Sequence, residues 1–178
     1  KRIGNYYRLK TGYGLHTFEA SFNRIERIES GSFLNNLSHI YLNNNRISNI
    51  TDESFLGLAQ LARLDLQSNQ LTSLSPSSLA TTTSLPHLLV SANPWLCDCS
   101  LTWLRKDARV GDGASLRCTT PAAPSSSQLL VSVPQEQFLC PYQTHCQADC
   151  FCCDFFACDC RMQCPGGCSC YHDSQWTV

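Results

Sequence analysis

A short motif with a fixed spacing recurs four times in the first half of the chain. In each copy, apolar residues occupy the first, fourth and sixth positions, an asparagine the ninth, and an apolar residue the eleventh. The asparagines are Asn23, Asn45, Asn69 and Asn93, which lie 22, 24 and 24 residues apart. Four matches at one period predict a stack of similar coils, in which each coil buries its core only against its neighbours.

The apolar positions predict the path of each coil. Alternation around the fourth and sixth positions is typical of a short strand, and successive strands would pair in parallel on the concave face. This motif and period are those of leucine-rich repeats, so the predicted fold is an α/β solenoid. The predicted core consists of Leu15, Phe18, Ala20, Ile25, Leu37, Ile40, Leu42, Ile47, Leu61, Leu64, Leu66, Leu71, Leu85, Leu88, Val90 and Trp95, with Ile28, Phe33, Ile50, Phe55, Leu74 and Leu79 on the convex side.

The asparagines are predicted to form a ladder. Each would turn the chain inward while its side-chain amide satisfies backbone groups of neighbouring coils, and losing one such buried partner costs about 1–3 kcal/mol. The repeats are assigned to residues 1–95, and the segment from Ile3 is expected to be an irregular coil or the tail of a preceding repeat. We therefore expect the protein to continue upstream of Lys1.

Outward-facing residues of the predicted concave strands are polar or aromatic. They suit a protein-binding surface, but the sequence is equally consistent with a merely solvated face. The candidate partner-binding residues are His39, Tyr41, Arg63, Asp65 and His87.

Thirteen cysteines, none before Cys97, indicate an oxidising compartment. The sequons at Asn36 and Asn49 agree, and both asparagines, placed in exposed turns, are predicted to carry glycans. Charged residues make up 15% of the chain and the net charge is -1, which argues against binding to nucleic acid or to an anionic membrane. No apolar run is long enough to span a bilayer.

The cysteines fall into three groups. Cys97, Cys99, Cys118 and Cys140 follow the last repeat and, with a short helix around Trp103, are predicted to form a C-terminal cap over residues 96–141. Residues 119–127, rich in Pro, Ala and Ser, are predicted to be a mobile loop inside this cap. The six cysteines of a junction at 142–163 favour three disulfides over a zinc site, with the pairing open; they are Cys146, Cys150, Cys152, Cys153, Cys158 and Cys160.

The last group opens a further module. Cys164, Cys168 and Cys170 follow the pattern C-P-x-x-C-x-C, which begins the N-terminal cap of another repeat block, assigned to residues 164–178. The fourth cysteine of such a cap is expected beyond Val178.

A C-terminal cap followed directly by an N-terminal cap resembles the ectodomain of insect Toll receptors. The segments at 140–146, 152–160 and 168–176 are similar to the junction of the long-ectodomain clade, the Tollo and 18-wheeler group, as are the segments at 3–7 and 41–45. The resemblance implies disulfides Cys97–Cys118, Cys99–Cys140 and Cys164–Cys170, with Cys168 awaiting a later partner. Residues 104–140 are shorter and richer in Ala and Ser than this family leads us to expect.

The resemblance also implies a function. It implies a single-pass receptor on the cell membrane whose extracellular part binds a Spätzle-like cystine-knot cytokine or a cell-surface partner. Such a receptor signals by homo- or heterodimeric pairing of ectodomains in innate immunity and development. Its main ligand surfaces lie upstream, so this segment would act mostly as a spacer that sets geometry.

Two other classes of function compete with that of a receptor. Catalysis is disfavoured because the five histidines are scattered and no nucleophile lies between His39 and His87, and no cofactor is expected. A secreted or matrix adhesion or guidance protein of the Slit kind also strings capped repeat blocks together. An apolar run of about 20 residues downstream would favour the receptor over that alternative.

Overall fold

The computed structural model describes residues 2–3, 14–82, 85–120, 123–141 and 171–172. The junction cysteines and Cys164, Cys168 and Cys170 lie outside these ranges, so their predicted pairings stay predictions. The strands are β1 (Arg2–Ile3), β2 (Thr17–Glu19), β3 (Arg27–Ile28), β4 (His39–Tyr41), β5 (Asn49–Ile50), β6 (Arg63–Asp65), β7 (His87–Leu89), β8 (Trp95–Leu96), β9 (Arg117–Thr120), β10 (Ala123–Leu129), β11 (Cys140–Pro141) and β12 (Tyr171–His172).

The concave face is a parallel sheet with the strand order β2-β4-β6-β7. Its register aligns equivalent residues of successive repeats, so that Ile40 lies beside Leu64 and Leu64 beside Leu88. These middle residues are fully buried, because alternation along each strand points them into the solenoid. The predicted parallel concave sheet is confirmed.

The convex side carries a second, shorter parallel sheet with the order β1-β3-β5. Ile28 is fully buried there, and Phe33 stacks on Phe55 with ring centroids 5.5 Å apart. Arg2 and Ile3 pair in parallel with Arg27 and Ile28 in this sheet. In the third coil a 3-10 helix, Pro76–Leu79, follows the position that convex strands occupy in the two preceding coils, and Leu79 fills the core.

Outside the first described coil the predicted core is buried, except for Ile50, which is only partly buried. Leu15 is 39% exposed, so the prediction that it belongs to the core is wrong for this chain. Phe18 and Ala20 are only partly buried. The reason is position: in the described residues these side chains have a following coil against them but only β1 on the other side.

The cap closes the other end. Helix α1, Thr102–Lys106, buries Leu104, and the indole N–H of Trp103 donates to the carbonyl of Leu74 over 2.8 Å. Further 3-10 helices lie at Cys99–Leu101, Gly113–Ser115, Leu130–Ser132 and Gln135–Gln137.

Two disulfides fasten the cap. Cys97 is joined to Cys118 and Cys99 to Cys140, the pairs that the family resemblance implies, with Cα–Cα distances of 5.5 and 5.3 Å. Strand β8 pairs in parallel with β9, and β9 pairs antiparallel with β10. The prediction of a loop at 119–127 is therefore wrong where β9 and β10 pair, at Thr119, Thr120, Ala123 and Ser127, whereas residues 124–126 lie in a register shift and have no partner in β9. Cys140 and Pro141 pair antiparallel with Tyr171 and His172.

Candidate protein-binding surface

Three of the four ladder asparagines link neighbouring coils. The Oδ1 of Asn69 accepts from the backbone N–H of Ile47, 3.0 Å away, in the preceding coil. Its Nδ2 donates to the carbonyls of Leu42 and Leu66, each at 3.0 Å. Asn45 and Asn93 repeat this pattern, and all three residues are buried. The ladder thereby fixes the turn that ends each concave strand.

Asn23 occupies the same motif position but makes different contacts. Its Nδ2 donates to the carbonyls of Ala20 and Ser21, both in its own coil, and the residue is exposed. Within the described ranges it forms no bond to an earlier coil, so it is not a ladder rung there.

The residue before each asparagine has a left-handed backbone. Phe22, Asn44, Ser68 and Ala92 have φ values of 56°, 56°, 53° and 54°. Asparagine tolerates this conformation, whereas a bulky phenylalanine is strained in it. Phe22 is also 80% exposed, so it combines backbone strain with an apolar side chain in water. Sequence reasoning missed Phe22, although a large aromatic before a ladder asparagine is the available signal.

The concave sheet presents two outward rows of side chains. The first row runs across the strands through Thr17, His39, Arg63 and His87, and the second through Glu19, Tyr41, Asp65 and Leu89. The first row therefore contains one arginine and two histidines. The second row is mixed acidic, aromatic and apolar.

Arg63 is the centre of a compact group, which we call the Arg63 cluster, formed with His39, Tyr41 and Asp65. Its guanidinium carbon lies 5.6 Å from the centroid of the Tyr41 ring, within the range of a cation–π contact. The ring of His39 stacks on Tyr41 at 6.3 Å and 18°. Nη2 of Arg63 lies 3.8 Å from Oδ2 of Asp65, an ion pair too long to be a hydrogen bond.

The guanidinium of Arg63 has unused hydrogen-bonding capacity. Its side chain is 36% exposed, and its enclosed Nε has no acceptor among the described residues. Two other partly buried arginines differ: Arg109 forms a bidentate pair with Asp107, and Arg105 donates to the carbonyl of Val131. Arg63 is thus held in place by a ring and a distant carboxylate while its exposed nitrogens remain available to an incoming acceptor.

Asp65 is not an accessible contact residue. It is only 6% exposed, which corrects the sequence-based expectation that it projects from the concave face. Its Oδ1 accepts from the backbone N–H of Gln67 over 3.1 Å. Burial raises the pKa of Asp65 above the usual value for a carboxyl, an effect that the Gln67 hydrogen bond and the charge of Arg63 oppose. His87, in contrast, is exposed as expected.

The cap completes the edge of the concave sheet. Val110 forms a parallel bridge with Leu88, so residues 109–111 add a partial fifth strand. The carboxylate of Asp112 accepts from the backbone N–H groups of Val90 and Ser91 at 2.9 and 2.6 Å. In earlier coils the equivalent N–H donates to a carbonyl of the next strand, for example Leu66 to Leu89. Asp112 therefore replaces a backbone acceptor, a role that no sequence motif announced.

Known proteins share this architecture. A leucine rich repeat family model matches residues 14–71 and 35–94. Residues 14–94 of the chain are leucine-rich repeats. In an alignment of 190 positions, the chain is 39% identical to Toll-like receptor 7 of Drosophila melanogaster. This alignment takes in 99% of the chain and 13% of that receptor. The chain is 33% identical over 132 residues to human leucine-rich repeat and fibronectin type III domain-containing protein 1, covering 68% of the chain and 17% of that protein.

A solved structure shares the fold of this leucine-rich-repeat chain. A chain of the Drosophila Toll–Spatzle complex matches it with a TM-score of 0.56 and 23% identity, over 68% of this chain and 16% of that one. The similarity in sequence supports a Toll-family leucine-rich-repeat ectodomain, and the matched family is not an enzyme family.

The described residues of this leucine-rich-repeat chain include no group of three or more His, Cys, Asp or Glu side chains that could hold a metal ion. Among those same residues, no helix is both long and apolar enough to cross a membrane.

Proposed function

We propose that this chain is part of the extracellular region of a Toll-family receptor and contributes to recognition of protein partners. The observation that supports it most directly is the 39% identity to Toll-like receptor 7, which extends over 99% of the chain. Two cap disulfides suit an extracellular, oxidising location. The partner class is a Spätzle-like cystine-knot cytokine or another cell-surface receptor, and the long-ectodomain clade is the proposed subgroup.

The Arg63 cluster is the proposed contact point on this segment. Protein interfaces concentrate their binding energy in aromatic and arginine side chains near the centre of the contact. Tyr41 and Arg63 lie in adjacent strands of the concave sheet and contact each other, with Arg63 partly desolvated. A carboxylate or carbonyl of the partner would accept from the exposed nitrogens of the Arg63 guanidinium, whereas the enclosed Nε lies out of its reach.

We also propose a role for this segment in signalling. Because the chain spans 13% of its Toll relative, its contacts act together with those of other repeats. The ladder and the cap hold this segment rigid, so it also sets the spacing between repeat blocks. In the proposed receptor, partner binding would bring two ectodomains together and start signalling in innate immunity and development.

Binding measurements on secreted protein test this proposal. The chain would be immobilised and exposed to purified Spätzle-like cytokines and to Toll-family ectodomains. Replacing Tyr41 and Arg63 by alanine should weaken binding by about 2 kcal/mol or more, which is roughly a 30-fold rise in Kd. The matched control is Arg117→Gln, an exposed arginine on β9 in the cap.

The outcomes separate the two parts of the proposal. Equal binding by the double variant and the wild type would remove the Arg63 cluster from the interface and leave a spacer role. Failure of every cytokine and receptor partner to bind the wild type would count against recognition by this segment altogether.

An adhesion or guidance protein of the Slit kind is the second candidate. The observation that favours it is the 33% identity to leucine-rich repeat and fibronectin type III domain-containing protein 1 over 68% of the chain. Extending the sequence downstream of Val178 distinguishes the two. An apolar segment of about 20 residues followed by an intracellular domain supports the receptor, whereas additional secreted modules support the adhesion protein.

A further inference from the structure

A polar groove lies on the flank between the ladder asparagines and the convex strands. It has a volume of about 530 Å³ and is lined by Glu26, Arg27, Arg46, Ser48 and Gln70. Each side chain carries hydrogen-bonding groups, and two are arginines. We call this feature the flank groove. Its walls come from three successive coils, which the ladder holds in register.

Asn49, the first residue of one of the two sequons, is a neighbour of two residues that line the flank groove. It follows Ser48 directly and is the first residue of β5, where its register partner is Arg27 of β3. Both Asn49 and Arg27 are exposed. Neighbouring strands lie about 4.8 Å apart, so a group attached to Asn49 starts within reach of the Arg27 side chain. This placement differs from the sequence-based expectation of a turn.

We infer that the flank groove seats the inner sugars of an N-linked glycan carried by Asn49. The inference rests on the proposed extracellular location. In the modification, the amide nitrogen of Asn49 loses a proton and bonds to the C1 carbon of the first sugar. The bond between C1 and the pyrophosphate oxygen of the lipid-linked donor breaks, and the lipid pyrophosphate leaves.

The groove offers the chemistry that an amino sugar needs. The hydroxyl and N-acetyl oxygens of the sugar accept hydrogen bonds, and the guanidinium groups of Arg27 and Arg46 supply several donors in fixed directions. The hydroxyl of Ser48 and the side-chain amide of Gln70 can both donate and accept. The lining of the groove is mostly polar, which suits a sugar better than an apolar peptide.

Asn36 provides an internal comparison. It is exposed in a turn between the convex side and β4, and none of the flank-groove residues is its sequence neighbour or strand partner. A glycan there would extend freely into water. The same chain therefore carries one seated and one free glycan, and the seated one covers the flank while leaving the concave face open.

Site-specific glycan processing tests the inference. The full 178-residue chain is secreted from cultured cells, and the glycopeptides containing Asn36 and Asn49 are analysed separately by mass spectrometry. A seated glycan is protected from trimming enzymes, so Asn49 should keep more oligomannose than Asn36 and should be released more slowly by peptide N-glycosidase from the native protein. Loss of charge-assisted hydrogen bonds in an Arg27→Gln, Arg46→Gln double variant should raise both trimming and release at Asn49 about tenfold.

The controls distinguish the possible failures. Asn36 in the same double variant and Asn49 in an Arg117→Gln variant should be processed as in the wild type. Secretion level and circular dichroism establish that the variants fold. If Asn49 carries a glycan that is processed like the one on Asn36, and its processing is unchanged in the double variant, the inference that the flank groove seats this glycan is wrong. An unoccupied Asn49 would overturn the modification itself, without touching the proposed receptor identity.

Discussion

Asn69 is the ladder residue whose removal should be most informative. It is 7% exposed, and its side chain serves groups in two coils. It accepts from the N–H of Ile47 at 3.0 Å and donates to the carbonyls of Leu42, Leu66 and Gln67 at 3.0, 3.0 and 3.1 Å. Asn69→Ala removes the acceptor and both donor hydrogens while adding no bulk.

The expected cost follows from the groups left without partners. Ile47 N–H and the carbonyl of Leu42 belong to the preceding coil, where the stacked coil excludes water. Each buried group left unsatisfied costs about 1–3 kcal/mol, so the variant should lose about 2–5 kcal/mol of the free energy of unfolding. Asn69→Asp should cost more at neutral pH, because a carboxylate would face carbonyl oxygens in place of the lost amide donor.

The assay is urea unfolding of the disulfide-intact chain, followed by fluorescence and circular dichroism. The midpoint should fall by roughly 1–2 M for Asn69→Ala with an unchanged m-value. Asn23→Ala is the matched control: it has the same motif position, but its described bonds stay within its own exposed turn. That variant should cost less than about 1 kcal/mol. Equal losses for the two variants would refute the ladder argument.

Three further predictions concern the cap and the concave face. Replacing Cys97 and Cys118 by serine should lower the free energy of unfolding by about 3 kcal/mol, and the same change at Cys99 and Cys140 should lower it by about 4 kcal/mol. The second loss is larger because that disulfide joins residues 41 positions apart, compared with 21 for the first. Thermal unfolding of each variant measures the loss, and unchanged midpoints would contradict the prediction. Burial raises the pKa of Asp65, so the folded chain binds a proton at this carboxyl more tightly than the unfolded chain does. The ionised carboxylate therefore destabilises the fold above the raised pKa, and this destabilisation disappears below pH 3.8. Asp65→Asn should therefore be at least as stable as the wild type at neutral pH, with the gain lost in acid; urea titrations at both pH values check the sign. Asp112→Ala should leave the amides of Val90 and Ser91 without their acceptor and accelerate their hydrogen exchange by tenfold or more, whereas unchanged exchange would show that another group satisfies them.

The repeated part of the fold was predictable because the stacking of similar coils determines which residues are buried. Burial of Ile40, Leu64 and Leu88 follows from period alone, since each occupies the inward position of a strand that stacks on its neighbour. Trp95 in the last repeat is buried for the same reason. The prediction fails at Leu15 because burial in a solenoid requires a coil on both sides.

The details of the concave face were not predictable from alternation. Asp65 occupies an outward position, yet neighbouring coils and the Arg63 side chain enclose it. Alternation gives the side of the sheet to which a residue points but not how tightly its neighbours cover it. Arg63 was a candidate in the sequence, but its contact with Tyr41 and the missing acceptor for its Nε within the described ranges are visible only in the structure.

The cap and the Arg63 cluster are connected through consecutive contacts. Asp112 accepts from the side-chain amide of Gln67 over 3.1 Å, and the backbone N–H of Gln67 donates to Asp65. Asp65 lies next to Arg63, which in turn lies over Tyr41. Asp112 therefore completes the open edge of the sheet and also supports the row that orients Arg63. A disulfide-bonded cap thus supports the contacts that hold a partly desolvated arginine in one place, and in the proposed receptor this preorganisation would reduce the entropy lost on binding a partner.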